Sequence, residues 1–561
     1  MLSKIPSCAL ATALTLLAAC GSSSPAGNAD PAAQAQILGT AAVSAPSACE
    51  LAAYPSLQWT QCETQNVLVS LENVAPDLAL EPQITAATLA YQAARLQVMV
   101  TDPARQPNPN SCTVAVLCPI DPRLQNWADG SGIVTTALYT SRSGATMSSH
   151  IWATKNGPAK RPGIVIINGS IIGYEQAYWY AAQALAKAGF IVMTFDPQGE
   201  GMSDQFGQAP DQLEDAFAGI PVLGVFGPPP PTGLGLGGNG LPFYDGGEDA
   251  LDFFLSTPAN PYVPVPSRSS GTSHNAKQQS RVAKGLDNAY NPFWQMLDAG
   301  SIGLTGHSYG AIASSWLAQQ DPRVSAEVAW DSLCVPTWPS PDELVAFGTA
   351  PVNQILGSVQ VPLPLYGFNP DCFAAPAPPA PAITKPALGI NSDYLLAPVP
   401  YLTPPSPLDK TQSSITYSNA GVDSGNIVIR GGTHLEYDDA PVPGLPYSLR
   451  GVDLATWYTV AWFEKYLLHD PNADAKLLTA RWRNDPIAAT VDPGKDPNLY
   501  SWHYKSRLDL TLASGQHFDC ENLRDGCPGQ TTQSEDCGGP ATYNFVTVDT
   551  TPDSAPVSCP Q

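Results

Sequence analysis

Residues 301–310 read Ser-Ile-Gly-Leu-Thr-Gly-His-Ser-Tyr-Gly, and the interpretation of the whole chain starts from this stretch. A short apolar run leads into the pattern Gly-x-Ser-x-Gly, and a helix-forming segment, residues 311–320, follows. A strand, this motif and a helix are together typical of a nucleophile elbow, the tight turn that lifts a serine side chain out of a sheet. The pattern predicts Ser308 as a nucleophile and the N–H of Tyr309 as a donor to an oxyanion.

Composition excludes one class of partner. The chain has 561 residues, with 26 Lys and Arg against 49 Asp and Glu, and its net charge is −23. A surface of this sign repels phosphate, so we expect no nucleic acid as a partner. The length is sufficient for one large catalytic domain with extensions.

The N-terminus has the features of a targeting segment. A positively charged start and a short apolar stretch end in Leu-Ala-Ala-Cys at residues 17–20, which resembles a bacterial lipobox. We expect a lipoprotein signal peptide at 1–19, a lipid on Cys20 as the only link to a membrane, and a flexible tether at 20–47. The expected location is the cell envelope, at the outer membrane or cell surface. The alternative is an ordinary signal peptide and a periplasmic or secreted protein.

Cysteine usage also favours export. Ten cysteines remain besides Cys8 and Cys20, an even number that suits a disulfide framework. Pairing neighbours along the chain, one connectivity among many, gives Cys49–Cys62, Cys112–Cys118, Cys334–Cys372, Cys520–Cys527 and Cys537–Cys559. The chain has no Cys-x-x-Cys, and no histidine stands at zinc-like spacing from a cysteine, so we expect no metal site.

The chain divides by pattern into segments. Residues 48–130 are expected to form a helical extension, 131–510 a catalytic domain, and 511–561 a Cys- and Gly-rich tail. Within the domain, strand-like runs alternate with helical ones, which predicts a mostly parallel sheet with helices on both faces. The predicted strands are 135–141, 150–154, 163–168, 190–195, 301–304, 324–330, 387–390 and 426–429. Three insertions, 205–245, 259–292 and 334–384, interrupt this alternation and are expected to form a lid or the walls of a cleft.

Four local motifs in residues 131–510 resemble those of the α/β-hydrolases. They are the strand and turn at 166–170, the run Asp-Pro-Gln-Gly-Glu-Gly-Met-Ser at 196–203, the elbow, and Arg-Gly-Gly-Thr-His at 430–434. In the second motif, Gln198 stands where the family usually has arginine. The resemblance implies an α/β-hydrolase fold, a triad in the chain order Ser, Asp, His, and no cofactor.

A triad needs a base and an acid besides Ser308. His434 is the expected base because it alone among the seven histidines follows a strand through a Gly-Gly-x-His loop. Asp393, after the strand at 387–390, is the preferred acid, and Asp331, after the strand at 324–330, is the alternative.

The second oxyanion donor is expected from the loop after the strand at 163–168. By family position it is the N–H of Ser170, with Gly169 and Ile171 as near alternatives. The side chain of His307, inside the elbow, is expected to point away from the path of the nucleophile.

These residues predict a serine hydrolase, and the resemblance favours a carboxylic ester, small or polymeric, as the substrate. A peptidase or amidase and an acyltransferase would use the same triad. A surface binding protein on an inactive hydrolase scaffold is the alternative from outside the enzymes. The sequence leaves the substrate-binding residues and the oligomeric state open.

Overall fold

The central strands of the fold, such as those at 161–167 and 191–196, are rich in apolar and β-branched residues. The computed structural model describes residues 47–69, 74–105, 118–169, 173–204, 241–268, 270–337, 371–372, 379–394, 404–439, 449–482, 498 and 500–534. The strands are β1 Gly132–Thr140, β2 Thr146–Thr154, β3 Arg161–Ile167, β4 Ile191–Asp196, β5 Leu297–His307, β6 Val324–Trp330, β7 Ala387–Ser392, β8 Ser424–Ile429, β9 Thr479–Trp482, β10 Arg507–Thr511, β11 His517–Cys520 and β12 Thr531–Ser534.

Ten of these strands form one sheet in the order β1-β2-β4-β3-β5-β6-β7-β8-β10-β11. The six central strands, from β4 to β8 in that order, are parallel. Antiparallel hairpins close the two edges, β1–β2 against β4 and β10–β11 against β8. Strands β9 and β12 form a separate parallel pair. The architecture is therefore α/β with a mostly parallel sheet, as the sequence predicts.

The helices cover both faces of this sheet. They are α1 Leu57–Val69, α2 Val74–Thr101, α3 Trp179–Lys187, α4 Leu241–Phe254, α5 Asn275–Ala283, α6 Tyr309–Gln320, α7 Gln412–Asn419, α8 Leu449–Phe463 and α9 Ala473–Leu477. Each face of the sheet has its own hydrophobic core. Neighbouring residues of β3 contribute to different cores, because side chains alternate across a strand. Ile164 and Ile166 pack in one core with residues of α3 and α8, while Val165 and Ile167 pack in another with α4 and α6.

The chain departs from the expected segment boundaries in two places. The β10–β11 hairpin crosses position 511, so the expected tail begins inside the sheet. The insertion at 259–292, expected to form part of a lid or a cleft wall, contains α5. From this helix Arg281 bonds Asp102 at the end of α2 (Nη2–Oδ2, 2.7 Å), so the insertion ties the N-terminal extension to the domain.

Disulfides occur where neighbouring cysteines predict them. Cys49–Cys62, Cys334–Cys372 and Cys520–Cys527 are bonded, and Cys118 is also in a disulfide. The expected pair Cys537–Cys559, together with Cys112 and Cys20, lies outside the described residues. In the described part of the chain, no helix is both long enough and apolar enough to span a bilayer.

A buried polar cluster joins α1 to the segment that follows β7 and to the segment that precedes β10. The Glu63 carboxylate accepts hydrogen bonds from the Tyr394 hydroxyl and from His503 Nε2. Burial alone lowers the pKa of His503, but the hydrogen bond to Glu63 and the charges of Asp393 and Glu63 raise it above its ordinary value. The cluster therefore contains a charged pair in a buried position.

The raised pKa of His503 gives this pair a defined pH dependence. Its contribution to the free energy of unfolding is complete below the unfolded pKa, about 6.5, and is lost as pH rises through the folded pKa. We expect Glu63→Gln to lower the free energy of unfolding by about 1–3 kcal/mol at pH 6, and by clearly less at pH 9. Urea denaturation at the two pH values measures this.

The matched control is Glu81→Gln, at an exposed position on α2. It should change the free energy of unfolding by no more than about 0.5 kcal/mol at either pH. An equal loss for Glu63→Gln at pH 6 and pH 9 would contradict a charged Glu63–His503 pair.

Candidate active site

The predicted site residues stand at one edge of the sheet because parallel strands end on the same side. Ser308 follows β5, Asp331 follows β6 and His434 lies in the loop after β8. Strands β5 and β6 are neighbours, and Ser308 N donates to Trp330 O (3.1 Å). The register therefore puts Ser308 beside Asp331, at the edge where ligands of open α/β sheets bind.

The turn at Ser308 has the strained backbone of an elbow. Ser308 has φ 57° and ψ −121°, a region that residues other than glycine rarely adopt, and it immediately precedes α6. Such conformations cost on the order of 1–3 kcal/mol and persist where the surroundings impose them. Here the helix and strands β3 and β5 impose it.

The glycines of the motif are required by close packing. A Cβ on Gly310 would lie 2.0 Å from the carbonyl oxygen of Ile167, and one on Gly306 would lie 2.3 Å from that of Gly310. A Cβ on Gly169, in the loop after β3, would lie 3.1 Å from Ser308 Cβ. The start of α6 can approach the end of β3 only because these positions lack side chains.

His434 is presented by a short, well-capped turn. The loop after β8 turns through Gly431 (φ 69°) and enters the 3₁₀ helix His434–Tyr437. Thr433 is the N-cap of this helix and forms a reciprocal capping box with Glu436, an arrangement that satisfies backbone N–H groups at both positions. The backbone that carries the imidazole is thus fixed on both sides of the ring.

The His434 ring is paired with Asp331. The distance from Nδ1 to Oδ2 is 2.6 Å, and the side chains of His434 and Asp331 are 11% and 8% exposed. Burial alone raises the pKa of Asp331, but the hydrogen bond and charge of His434 bring it below its ordinary value. The carboxylate stays ionised and accepts the Nδ1 proton, so in the neutral ring the lone pair belongs to Nε2, as a general base requires.

Asp331, the alternative acid in the sequence analysis, is thus the carboxylate that pairs with His434, and the preferred residue, Asp393, is not. Asp393 follows β7, one strand farther from β5, and its Oδ2 accepts the N–H of Gly431 (2.8 Å). Burial is the main reason that its pKa is raised. The expected Asp393–His434 pair is therefore replaced by Asp331–His434, and Asp393 supports the loop instead. Sequence spacing could not separate the two, since each aspartate follows a strand by one to three residues.

The expected oxyanion donors are described only in part. Tyr309 begins α6, where the first N–H groups point out of the helix end. Ser170 and Ile171 lie outside the described residues. The third alternative, Gly169, donates its N–H to the hydroxyl of Tyr178 (3.0 Å). The N–H of Tyr309 therefore lies at the elbow. The second oxyanion donor, expected from the loop after β3, stays a prediction.

Sequence reasoning missed a second set of contacts, made by His307. Its Nε2 lies 2.8 Å from the backbone oxygen of His434, and the centroids of the two rings are 4.6 Å apart. Its Nδ1 lies 2.8 Å from the Tyr178 hydroxyl and 3.0 Å from Asp438 Oδ1. The side chain of His307, expected to point away from Ser308, contacts the loop that carries His434. No spacing rule would have found Asp438, because the contact depends on the 3₁₀ turn.

Within the described residues, no group of three or more His, Cys, Asp or Glu side chains is arranged to hold a metal ion. Comparison of the chain with family models and with curated proteins gave no match.

The assignment of the acid can be tested without any assay of activity. A buried, charge-assisted hydrogen bond shifts its proton far downfield, so His434 Nδ1–H should give a low-field proton signal. We expect Asp331→Asn to remove this signal or move it strongly upfield, and Asp393→Asn to retain it. Proton NMR measures the signal, and its loss in His434→Gln assigns it. A signal that survives Asp331→Asn and disappears in Asp393→Asn would reverse the assignment.

The close approach at Gly310 predicts a large loss of stability on adding one methyl group. Gly310→Ala should lower the free energy of unfolding by about 2–3 kcal/mol or more, because the Cβ would overlap a backbone oxygen. Gly300→Ala is the matched control, since that glycine is exposed and its nearest neighbour would be 3.4 Å away. Similar melting temperatures for the two variants would contradict the packing described for the elbow.

Proposed function

We propose that the chain is a serine hydrolase of the α/β-hydrolase fold that cleaves carboxylic esters through an acyl-enzyme. The observation that carries this proposal is the buried 2.6 Å hydrogen bond between His434 and Asp331, at the sheet edge that also presents the strained Ser308. Their chain order, Ser308 then Asp331 then His434, is that of the α/β-hydrolases.

The surrounding elements support the same fold. The serine stands at a turn between a central parallel strand and a helix, as in the nucleophile elbow of that family. The loop after β3 lies against this turn, with Gly169 close to Ser308. In this fold, a backbone N–H from the corresponding loop completes the oxyanion hole.

In the proposed reaction, His434 Nε2 takes the proton of Ser308 as its Oγ attacks the ester carbonyl carbon. The carbonyl oxygen becomes an oxyanion that accepts hydrogen bonds from the N–H of Tyr309 and from the β3 loop, where Ser170 is the expected donor. Asp331 remains ionised and stabilises the imidazolium. Collapse of the intermediate breaks the bond to the alcohol oxygen, which takes the proton from His434. Water, deprotonated by His434, then releases the acid and restores Ser308.

An ester substrate follows from the resemblance to the hydrolases rather than from a particular side chain. Acyl and alcohol specificity depend on the insertions, much of which lies outside the described residues. The disulfides among the described residues, such as Cys49–Cys62 and Cys334–Cys372, are typical of an oxidising compartment and favour export of the protein.

The proposal predicts a single reactive serine. A fluorophosphonate should label the full chain at Ser308, located by peptide mass mapping. Ser308→Ala should abolish the label and lower the rate on p-nitrophenyl esters by several orders of magnitude, roughly 10⁶-fold. A series of acyl chain lengths, with matching anilides and added alcohol, separates esterase from amidase and transferase.

The control is Ser273→Ala, at an exposed serine before α5, which should retain both labelling and rate. Labelling at another residue, or an unchanged rate in Ser308→Ala, would refute the proposed nucleophile.

A further inference from the structure

A second histidine–carboxylate pair lies beside the first. His307 Nδ1 is 3.0 Å from Asp438 Oδ1, and both side chains are almost completely buried. The two histidine rings, at 307 and 434, have centroids 4.6 Å apart. The proposed mechanism uses neither His307 nor Asp438, so this pair needs its own explanation.

The hydrogen bonds fix one proton on His307. The backbone carbonyl of His434 can only accept, so Nε2 of His307 must donate to it across 2.8 Å. This contact ties the residue before the nucleophile to the residue that acts as the base. In a neutral ring, Nδ1 would then carry no proton.

The carboxylate of Asp438 favours a second proton on His307. Its Oδ1 is buried and has no hydrogen-bond partner, and among the described side chains His307 is the one cationic group within 4.0 Å of it. With a bare Nδ1, the nitrogen lone pair would face a buried anionic oxygen at 3.0 Å. A buried charge left without a counter-charge is strongly unfavourable. A proton on Nδ1 donates to the Tyr178 hydroxyl at 2.8 Å and gives the buried carboxylate a counter-charge at 3.0 Å.

We propose that His307 is a buried imidazolium, paired with Asp438, which positions the loop of His434 and opposes a second positive charge on the adjacent His434 ring. The role is that of a positioning residue, because His307 acts through His434. The part that concerns catalysis rests on the proposed function, whereas the charge state of His307 does not.

The charges that face His307 agree with this state. Asp438 and Asp331 are the anions near it, His434 lies against its ring, and Tyr178 and Tyr437 are the phenols in contact. Burial alone lowers the pKa of His307, but the charge and hydrogen bond of Asp438 and the charge of Asp331 raise it above its ordinary value. With His307 positive, the two carboxylates and two rings carry a net −1 until His434 takes the proton of the nucleophile.

The contacts also explain how one side chain can align three loops. Tyr178, which bonds His307, accepts the N–H of Gly169 in the loop after β3. His307 itself ends β5, and its Nε2 holds the loop after β8. The nucleophile, the expected oxyanion loop and the base are thus connected through a single ring.

The charge of His307 can be measured directly by ¹⁵N NMR of the histidine-labelled full chain. At pH 7.5, both ring nitrogens of His307 should show shifts of protonated imidazolium, with the signal assigned by its absence in His307→Gln. In Asp438→Asn the same ring should become neutral at this pH. A neutral His307 in the wild-type protein at pH 7.5 would overturn the proposal, whether or not any variant folds.

The effect on His434 is read from the pH profile of ester hydrolysis. His307→Gln removes a positive charge next to His434, so the acid limb of the profile should move to higher pH by about 1 unit. An unmoved limb, with His307 charged in the wild type, would overturn its role in setting the pH range. If the wild type shows an imidazolium at His307 but no hydrolytic activity, the proposed function fails and the assigned charge state stands.

Discussion

The hydrogen bond between Asp331 and His434 is the contact that joins the loops after β6 and β8 at the site. It joins two largely buried side chains, 103 positions apart in the chain, at 2.6 Å. The charge and hydrogen bond of His434 lower the pKa of Asp331, and an ionised carboxylate can only accept, so the proton of this bond lies on His434 Nδ1. The parallel pairing of β5 and β6 places Asp331 beside Ser308. The capped turn at His434 fixes the backbone that carries the ring.

Support for the His434 loop comes from distant parts of the chain. Asp393 holds the N–H of Gly431, and the N–H of Tyr394 donates to Gly432 O at 3.0 Å. The Tyr394 hydroxyl in turn bonds Glu63 in α1, next to the Cys49–Cys62 disulfide. The N-terminal extension therefore stabilises the loop that carries His434, and a change in α1 can reach this loop through hydrogen bonds rather than through direct contact.

Local sequence patterns predict much of the fold, because burial of a strand and close packing at a turn restrict the residues in a short stretch of chain. Continuous apolar runs predict β3 to β8, since strands covered on both faces need no alternation, and the motif around Ser308 predicts the elbow because its glycines are sterically required. Neighbouring cysteines likewise predict the bonds at 49–62, 334–372 and 520–527. The sheet edge at β10 and β11 is missed because short antiparallel strands in a polar region resemble loops.

The acid and the second histidine could not be predicted from the chain in the same way. Asp331 and Asp393 have equivalent sequence contexts, and only the strand order shows that β6, not β7, adjoins the nucleophile strand. The contacts of His307 depend on where the 3₁₀ turn places Asp438 and on the position of Tyr178, which is 129 residues away. Non-local packing decides both, and no periodicity encodes it.

A crystal structure of the protein at neutral pH tests the central claim most directly, through the distance between Ser308 Oγ and His434 Nε2. We predict a hydrogen bond of about 2.6–3.2 Å, with Asp331 on the opposite nitrogen of the ring. A separation well beyond contact, in the free protein and in a phosphonylated one alike, would contradict a triad at this site.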